Sequence, residues 1–220
     1  STNGKRVSPR YRFGQSRMWG GISYVLADTQ VTFDALPGTP GLPDNEDDSR
    51  VGGLTPSFTY DSRDTMFTST RGTYFEGTAG LFDESLGGDG SLQRVYLTAM
   101  TFHPLHPEVF LGVRGMAAFS FGDVPFYLRP YISLRGAPMM RYQGEETAEV
   151  ETEVRWQFWK RFSVVGFAGY GAAWNDFEEV DDSITIVTGG TGVRYELARA
   201  YRLHAGLDLA FGPPHPAIYI

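Results

Sequence analysis

Three things are missing from this chain of 220 residues: cysteine, an excess of basic residues, and long apolar runs. Without cysteine, neither a disulfide framework nor a thiolate metal site can form. Because 19 lysines and arginines face 26 aspartates and glutamates, the formal net charge is −7, which argues against a nucleic-acid-binding protein. No apolar run reaches the roughly 18–20 residues that a membrane-spanning helix requires.

Glycine and aromatic side chains are abundant, with 27 glycines and 15% aromatic residues. Apolar residues recur with a period of two in stretches of about ten residues that end in turn-forming residues. The clearest stretch is 202–211, whose two faces carry Leu203, Ala205, Leu207, Leu209 and Phe211 against Arg202, His204, Gly206 and Asp208. This pattern is typical of membrane-barrel strands, which alternate lipid-facing and lumen-facing residues.

Similar strands are predicted along the whole chain. They cover residues 7–13, 17–27, 54–63, 72–82, 92–102, 109–121, 150–159, 162–174, 184–197, 202–211 and 217 onward. Short connections at 61–72, 104–108, 159–162 and 197–202 alternate with long ones at 28–50, 82–91, 122–148 and 175–183. Since closed bacterial barrels favour even strand numbers, we expect about twelve strands, within a range of ten to twelve.

The second face of these predicted strands carries charges of both signs. Its members are Glu76, Arg94, Arg114, Glu151, Glu153, Arg155, Arg194, Glu196, Arg202 and Asp208. Periodicity alone does not say whether this face lies inside, so a soluble β-sandwich is an alternative. Strands longer than the roughly 5–6 residues of soluble sheets, and aromatic residues near strand ends, favour the membrane.

We therefore predict one all-β domain over residues 1–220, a closed antiparallel transmembrane β-barrel in a bacterial outer membrane. The charged face would line the lumen, and its balance of signs predicts a plugged lumen rather than an open pore. The abrupt end at Ile220 suggests that further residues follow. The acidic stretches at 36–48 and 175–183 are expected to be solvated loops.

Two motifs resemble a known family. The first is Tyr60-Asp61-Ser62-Arg63-Asp64, followed after a turn by Gly72. The second is Arg135-Gly136, followed by Arg141-Tyr142-Gln143-Gly144. Together and in this order they resemble the C-terminal barrel of the bacterial surface-antigen superfamily, the BamA/TamA-like outer-membrane assembly and translocation proteins. The resemblance covers roughly residues 50–220.

The resemblance implies that the long loop 122–148 folds into the lumen and that wall residues hold Arg135. The family's partner strand carries phenylalanine–x–aspartate–x–glycine, but the matching stretch here, 167–171, has Gly169 in place of the aspartate. We expect Glu153 to take over, since a guanidinium suits a carboxylate. The predicted anchor set is Arg135, Gly136, Arg141, Tyr142, Gly144, Glu153 and Arg155; the alternative is that Arg135 lies in an exposed loop.

The chain also departs from the family pattern. Family members carry periplasmic domains before a barrel with more strands, and we expect no periplasmic domain here. The expected function is that of the barrel alone, which would deform the bilayer or open laterally during insertion or transport of lipid or protein. Its expected partners are membrane lipid, lipopolysaccharide and periplasmic proteins, without nucleic acid.

Two other functions compete with this one: a small-solute channel and a lipid-modifying enzyme. His204 and Asp208 share a face, but at four strand residues they would lie about 13 Å apart, too far for a dyad. We expect no catalytic site. His103 and His106 flank a predicted turn without an evident third ligand, so neither a metal nor a cofactor is predicted. Glycines at 166, 169, 171, 189, 190 and 192 are expected to make room for the loop or to let strands bend.

Overall fold

The computed structural model describes residues 2–32, 46–122, 124–175 and 183–220, which form one antiparallel sheet of twelve strands. The strands are β1 (Thr2–Val7), β2 (Arg10–Arg12), β3 (Met18–Thr32), β4 (Glu46–Asp61), β5 (Gly72–Phe82), β6 (Leu92–His106), β7 (Val109–Gly122), β8 (Glu146–Trp159), β9 (Phe162–Trp174), β10 (Ile184–Ala198), β11 (Leu203–Phe211) and β12 (Ala217–Tyr219). The described residues contain no helix long and apolar enough to cross a membrane.

The strand order follows the chain. β1 and β2 both pair with β3, each strand from β4 to β11 pairs with its predecessor and its successor, and β12 pairs with β11. Within the described part of the chain, β1 and β12 end the sheet and are not hydrogen-bonded to each other. The predicted all-β antiparallel architecture with twelve strands is confirmed.

The connection between β3 and β4 is shorter than predicted. β3 and β4 pair in register out to Thr32 and Glu46, so the predicted loop 28–50 is wrong at both ends. Ladder hydrogen bonds join backbone groups, so a ladder can continue after the apolar alternation has ended. The predicted acidic loop 36–48 is wrong at residues 46–48, which belong to β4. The rest of that loop, and residues 176–182 of the predicted loop 175–183, lie outside the described residues.

Two prolines change the predicted strand ends. β6 continues through Pro104 to His106, where the register shifts, so the predicted turn at 104–108 is wrong in its extent. The irregular register tolerates the missing proline N–H. The predicted strand 7–13 is instead split into β1 and β2, and Pro9 lies in the break.

Burial along the strands is the reverse of that in a soluble sheet. On β11, Leu207 and Leu209 are 49% and 41% exposed, whereas Asp208 between them is 6% exposed. On β8, Val150 and Val154 are exposed and Glu151 is buried. The predicted alternation is confirmed, and it encloses the charged side chains on what we call the polar face. A soluble sandwich buries its apolar face instead, so the structure contradicts that alternative.

Candidate functional site

The connection between β7 and β8, described over residues 124–145 and called here the β7–β8 loop, lies on the polar face of the sheet. Its Ile132 and Leu134 are buried and pack with Ala173 of β9 and Ile186 of β10. Within the loop, the Ile132 N–H donates to the Tyr142 carbonyl at 3.0 Å. The buried apolar cluster of the described residues therefore joins the loop to the sheet.

Two glycines of β9 create the space for these apolar side chains. A Cβ at Gly169 would lie 2.8 Å from Leu134 Cδ2, and one at Gly171 would lie 2.8 Å from Ile132 Cγ2. Any larger residue at either position would require Leu134 or Ile132 to move. The expected role of these two glycines is confirmed, whereas Gly166 faces open space and does not contact the loop.

Arg135 lies at the centre of the contact between the loop and the sheet. Its Nη2 is 2.9 Å from Glu151 Oε1, and its Nη1 is 2.8 Å from Glu153 Oε2 and 3.0 Å from Asp208 Oδ2. The guanidinium carbon also lies 3.7 Å from the ring centroid of Phe167. Both ends of the planar fork thus meet carboxylates, which is the arrangement that stabilises an enclosed arginine.

The carboxylates that meet Arg135 do not lie on β9, where the family pattern has its aspartate, but on β8 and β11. Gly169 stands where the family pattern has aspartate, and its register partner on β8 is Glu151. Glu153 is likewise the register partner of Phe167. Relative to the family pattern, the carboxylates are therefore on the neighbouring strand β8, and β11 supplies a further one. The sequence predicts Glu153 as the substitute, but it places Glu151 and Asp208 only among the general lumen charges.

Two further arginines connect these carboxylates. Arg194 on β10 contacts Asp208 through both Nη1 and Nη2, and its Nη2 lies 2.8 Å from Asp208 Oδ2. The same Nη2 lies 3.9 Å from Glu153 Oε2. Arg114 on β7 approaches Glu149 at 3.5 Å and donates to the Ser133 carbonyl at 3.3 Å. The result is a network of three arginines and four carboxylates in which the loop supplies one member, Arg135.

The other predicted anchor residues contribute unequally. The Gly136 N–H donates to the Tyr219 hydroxyl of β12 at 2.9 Å, and its positive φ of 92° favours glycine. The Tyr142 hydroxyl donates to the Pro213 carbonyl at 3.3 Å, and a Cβ at Gly144 would lie 2.4 Å from the Trp174 oxygen. Arg141 is exposed and lies 5.9 Å from the Tyr142 ring, away from the sheet.

Arg155 lies outside this network. Its Nη1 is 3.5 Å from His204 Nε2, and its guanidinium covers the Phe110 ring at 4.7 Å. His204 Nδ1 lies 3.0 Å from Thr68 Oγ1. Among the described residues, no hydrogen bond joins His204 to Asp208, and no group of histidines and carboxylates is arranged to hold a metal ion.

The first family motif forms a second contact across the sheet. Residues 62–71, called here the β4–β5 turn, reach the turn before β11. Arg202 forms an ion pair with Asp64 and donates to Thr70 Oγ1 at 3.0 Å. The Thr65 hydroxyl donates to the Tyr201 carbonyl at 3.3 Å. These residues are more than 130 positions apart in the chain, so the sheet must curl to bring them together.

The turn is also held internally. Asp61 accepts from Arg63 Nη2 at 2.7 Å, and Gly72 has a φ of 102° that only glycine adopts easily. A Cβ at Gly72 would lie 2.4 Å from the Ser62 oxygen. Tyr60, at the end of β4, pairs with Met18. The motif therefore shapes the turn and aims Asp64 across the sheet.

The remaining predicted lumen charges make local contacts. Glu76 accepts from the Tyr74 hydroxyl at 2.6 Å, and Arg94 stacks on the Tyr96 ring at 4.9 Å. Glu196 lies 3.5 Å from Arg199. None of these contacts involves the β7–β8 loop, so the predicted set of lumen charges divides into one group at Arg135 and several separate pairs.

Comparison with known proteins identifies one family model and a similar fold. The Omp85 superfamily domain model matches residues 43–215. No curated protein matches the chain in sequence. The structure is similar to BamA from Haemophilus ducreyi lacking POTRA domains 1–3, with a TM-score of 0.70 and 15% sequence identity. That match covers 98% of this chain and 50% of the BamA chain, and at this identity it shows the fold alone.

The ion pairs of Arg135 generate a first prediction. Arg135→Met should lower the free energy of unfolding by about 2–3 kcal/mol, because the enclosed Glu151 and Glu153 lose their short ion pairs and keep only Arg114 and Arg194, each at 3.9 Å. Adding Glu151→Gln to that variant should restore part of the loss, since it removes one poorly compensated charge. Equilibrium unfolding in detergent or vesicles measures both. Arg141→Met, which removes an exposed arginine of the same loop, should change stability by less than about 0.5 kcal/mol.

The β4–β5 turn generates a second prediction, on pH. Burial opposes ionisation of Asp64, but hydrogen bonds from Thr70 and the Arg71 backbone, with the charge of Arg202, outweigh it and lower its pKa to about 2. A lowered pKa stabilises the fold above the ordinary value of 3.8, and this stabilisation is lost as pH falls towards 2.

The unfolding temperature of the unmodified chain should therefore fall between about pH 4 and pH 2 more steeply than that of Asp64→Asn. Glu108→Gln, at an exposed turn on the same end of the sheet, is the matched control and should keep the steep dependence. Identical slopes for Asp64→Asn and the unmodified chain would show that the turn contact does not contribute.

Proposed function

The chain belongs to the Omp85 superfamily, which confirms the resemblance to BamA/TamA-like barrels, and on this premise we propose a closed outer-membrane barrel that aids insertion or transport of lipid or protein. The observation that carries the proposal is the reversed burial, with Asp208 enclosed between exposed Leu207 and Leu209. Outward apolar side chains suit hydrocarbon as solvent.

Closure of the barrel follows from the membrane assignment. A sheet edge in hydrocarbon would leave backbone N–H and C=O groups without partners, at several kcal/mol each. The contacts of the β4–β5 turn with Arg202 and His204 support closure, because they require strong curling of the sheet. In the proposed barrel β1 therefore meets β12.

In a closed barrel with this burial, the polar face lines the lumen. The β7–β8 loop would then be the inward-folding loop expected over 122–148, with Arg135 as its anchor on the wall. The loop contacts residues of β7 to β12, so it would fill that side of the lumen. This arrangement supports a plugged barrel that acts on the surrounding bilayer rather than through a permanent pore.

The proposed partners follow from the outer surface. Aromatic side chains lie exposed near strand ends, where a membrane interface would receive them. They are Trp156, Trp159, Phe162, Tyr195 and Tyr201. We therefore propose membrane lipid and lipopolysaccharide as direct partners. Periplasmic proteins would meet the end that carries the short turns, as in the family pattern.

One observation favours a second candidate function, a small-solute channel. On the polar face of β1 and β2, arginines meet hydroxyl and carbonyl groups rather than carboxylates: Arg6 donates to Ser23 Oγ at 3.4 Å, Arg10 to Thr59 Oγ1 at 2.8 Å, and Arg12 to the Ser16 carbonyl at 2.9 Å. The hydrogen bonds of Ser133, Gly136 and Tyr142 in the loop are formed with other parts of the chain. A water-filled passage on this side would favour anions.

The outward position of the apolar face generates a third prediction. Leu207→Arg, in the middle of β11, should lower the free energy of unfolding in lipid vesicles by about 2–4 kcal/mol, since it places a charge in hydrocarbon. The matched control is Tyr201→Arg in the turn before β11, which should change it by less than about 1 kcal/mol. Equal effects at the two positions would contradict the membrane assignment.

The proposed activity is tested by reconstitution. Preformed vesicles that carry the chain should speed the folding of an unfolded outer-membrane barrel added from urea, compared with vesicles that carry an unrelated closed barrel at the same protein-to-lipid ratio. Equal rates would refute the assembly role. Planar-bilayer recording of the same sample decides the second candidate: a steady current with a reversal potential that favours anions supports the channel.

A further inference from the structure

Between the β7–β8 loop and the β4–β5 turn lies a cavity that the network at Arg135 does not fill. Its volume is about 210 Å³. Met100, Phe102 and Phe110 supply apolar wall, Thr68 and Ser69 of the β4–β5 turn supply hydroxyls, and Arg155 supplies a cation. We propose that this cavity binds a small organic anion, a carboxylate on a compact apolar or aromatic body, with Arg155 as its counter-ion.

Arg155 is buried and lacks a hydrogen-bond acceptor for one of its nitrogens. The residue is 5% exposed, and no ion pair within 4.0 Å joins it to a carboxylate of the described residues. Its Nη2 is buried and has no hydrogen-bond partner among those residues. A buried guanidinium without an acceptor is costly, and an unsatisfied buried donor of this kind points to an unseen acceptor.

The neighbours of Arg155 cannot supply that acceptor. The Phe110 ring offers only its face, at 4.7 Å. His204 Nε2 accepts from Arg155 Nη1 at 3.5 Å, which is a long hydrogen bond to a neutral ring. Because an arginine only donates, His204 carries its proton on Nδ1, where Thr68 Oγ1 and the Arg202 carbonyl lie at 3.0 and 3.1 Å.

The carboxylates in the cavity wall are already engaged. Glu151 and Glu153 both contact Arg135, at 2.9 and 2.8 Å. Arg114, the other wall arginine, lies 3.5 Å from Glu149 and 3.9 Å from Glu151. Arg155 is therefore the cation of the wall that has no carboxylate in contact, so an incoming anion meets it rather than a closed ion pair.

The size and lining of the cavity decide the rest of the ligand. A dry apolar cavity of roughly 150 Å³ can hold benzene, so 210 Å³ has room for a single ring with a carboxylate. An inorganic anion alone would leave the methionine and phenylalanine walls uncovered. The apolar body would pack on Phe102, Phe110 and Met100, and the carboxylate would accept from Arg155.

Benzoate is the probe, and benzamide is its neutral counterpart of similar shape. Added to the purified protein in detergent, benzoate should raise the temperature of unfolding, followed by tryptophan fluorescence, in a saturable manner, whereas benzamide should not. No saturable rise with benzoate, or an equal rise with benzamide, would overturn the proposal. An equal rise with chloride or phosphate would show an inorganic anion site and would also overturn it.

Variants of two arginines test whether benzoate binds in this cavity. Arg155→Met should weaken benzoate binding about 10–100-fold, the loss expected for a charge-assisted hydrogen bond. Arg71→Met removes an exposed arginine of the β4–β5 turn, outside the cavity lining, and should leave binding unchanged. Unweakened binding in Arg155→Met would refute the role of Arg155. If that variant does not fold, Arg155→Gln removes the charge but keeps a polar side chain, and an unchanged benzoate affinity there would refute the role of Arg155 in the same way.

Discussion

Burying a guanidinium without carboxylates beside it costs free energy. At Arg135 ion pairs with carboxylates offset this cost, and much of the structure depends on them. The fork of Arg135 contacts Glu151, Glu153 and Asp208, which belong to strands β8 and β11. Because it also stacks on Phe167 of β9, the loop arginine contacts three strands within a span of four neighbouring strands. The loop is thereby a structural part of the sheet rather than an appendage at its end.

Gly169, which stands where the family pattern has an aspartate, leaves the space that the β7–β8 loop needs. An aspartate at that position would occupy the space that Leu134 fills, since even a Cβ there would approach Leu134 within 2.8 Å. The loop instead gains a buried apolar contact with β9, and the carboxylate function is supplied by Glu151 on the neighbouring strand. The same polar face therefore provides apolar contacts for Leu134 and ion pairs for Arg135.

Much of this fold could be predicted from the sequence, because the decisive signal is local. The alternation at Leu207, Asp208 and Leu209 marks two faces without any knowledge of the neighbouring strands. The ends of β3, β4 and β6 could not be predicted in this way, because backbone pairing continues past the apolar pattern. The partners of Arg135 beyond Glu153 depend on strand register, and the contact of Asp64 with Arg202 depends on the curl of the whole sheet. Neither is encoded in a short stretch of sequence.

The two contacts that cross the polar face differ in strength. The β7–β8 loop is held by enclosed ion pairs and by buried Ile132 and Leu134, whereas the β4–β5 turn is held by hydroxyl hydrogen bonds and by Arg202, whose side chain is 47% exposed. Ion pairs with an exposed partner contribute only about 0–1 kcal/mol. The turn is therefore the weaker of the two, so any opening of the space between them should begin at the turn, while the loop keeps its place on the sheet.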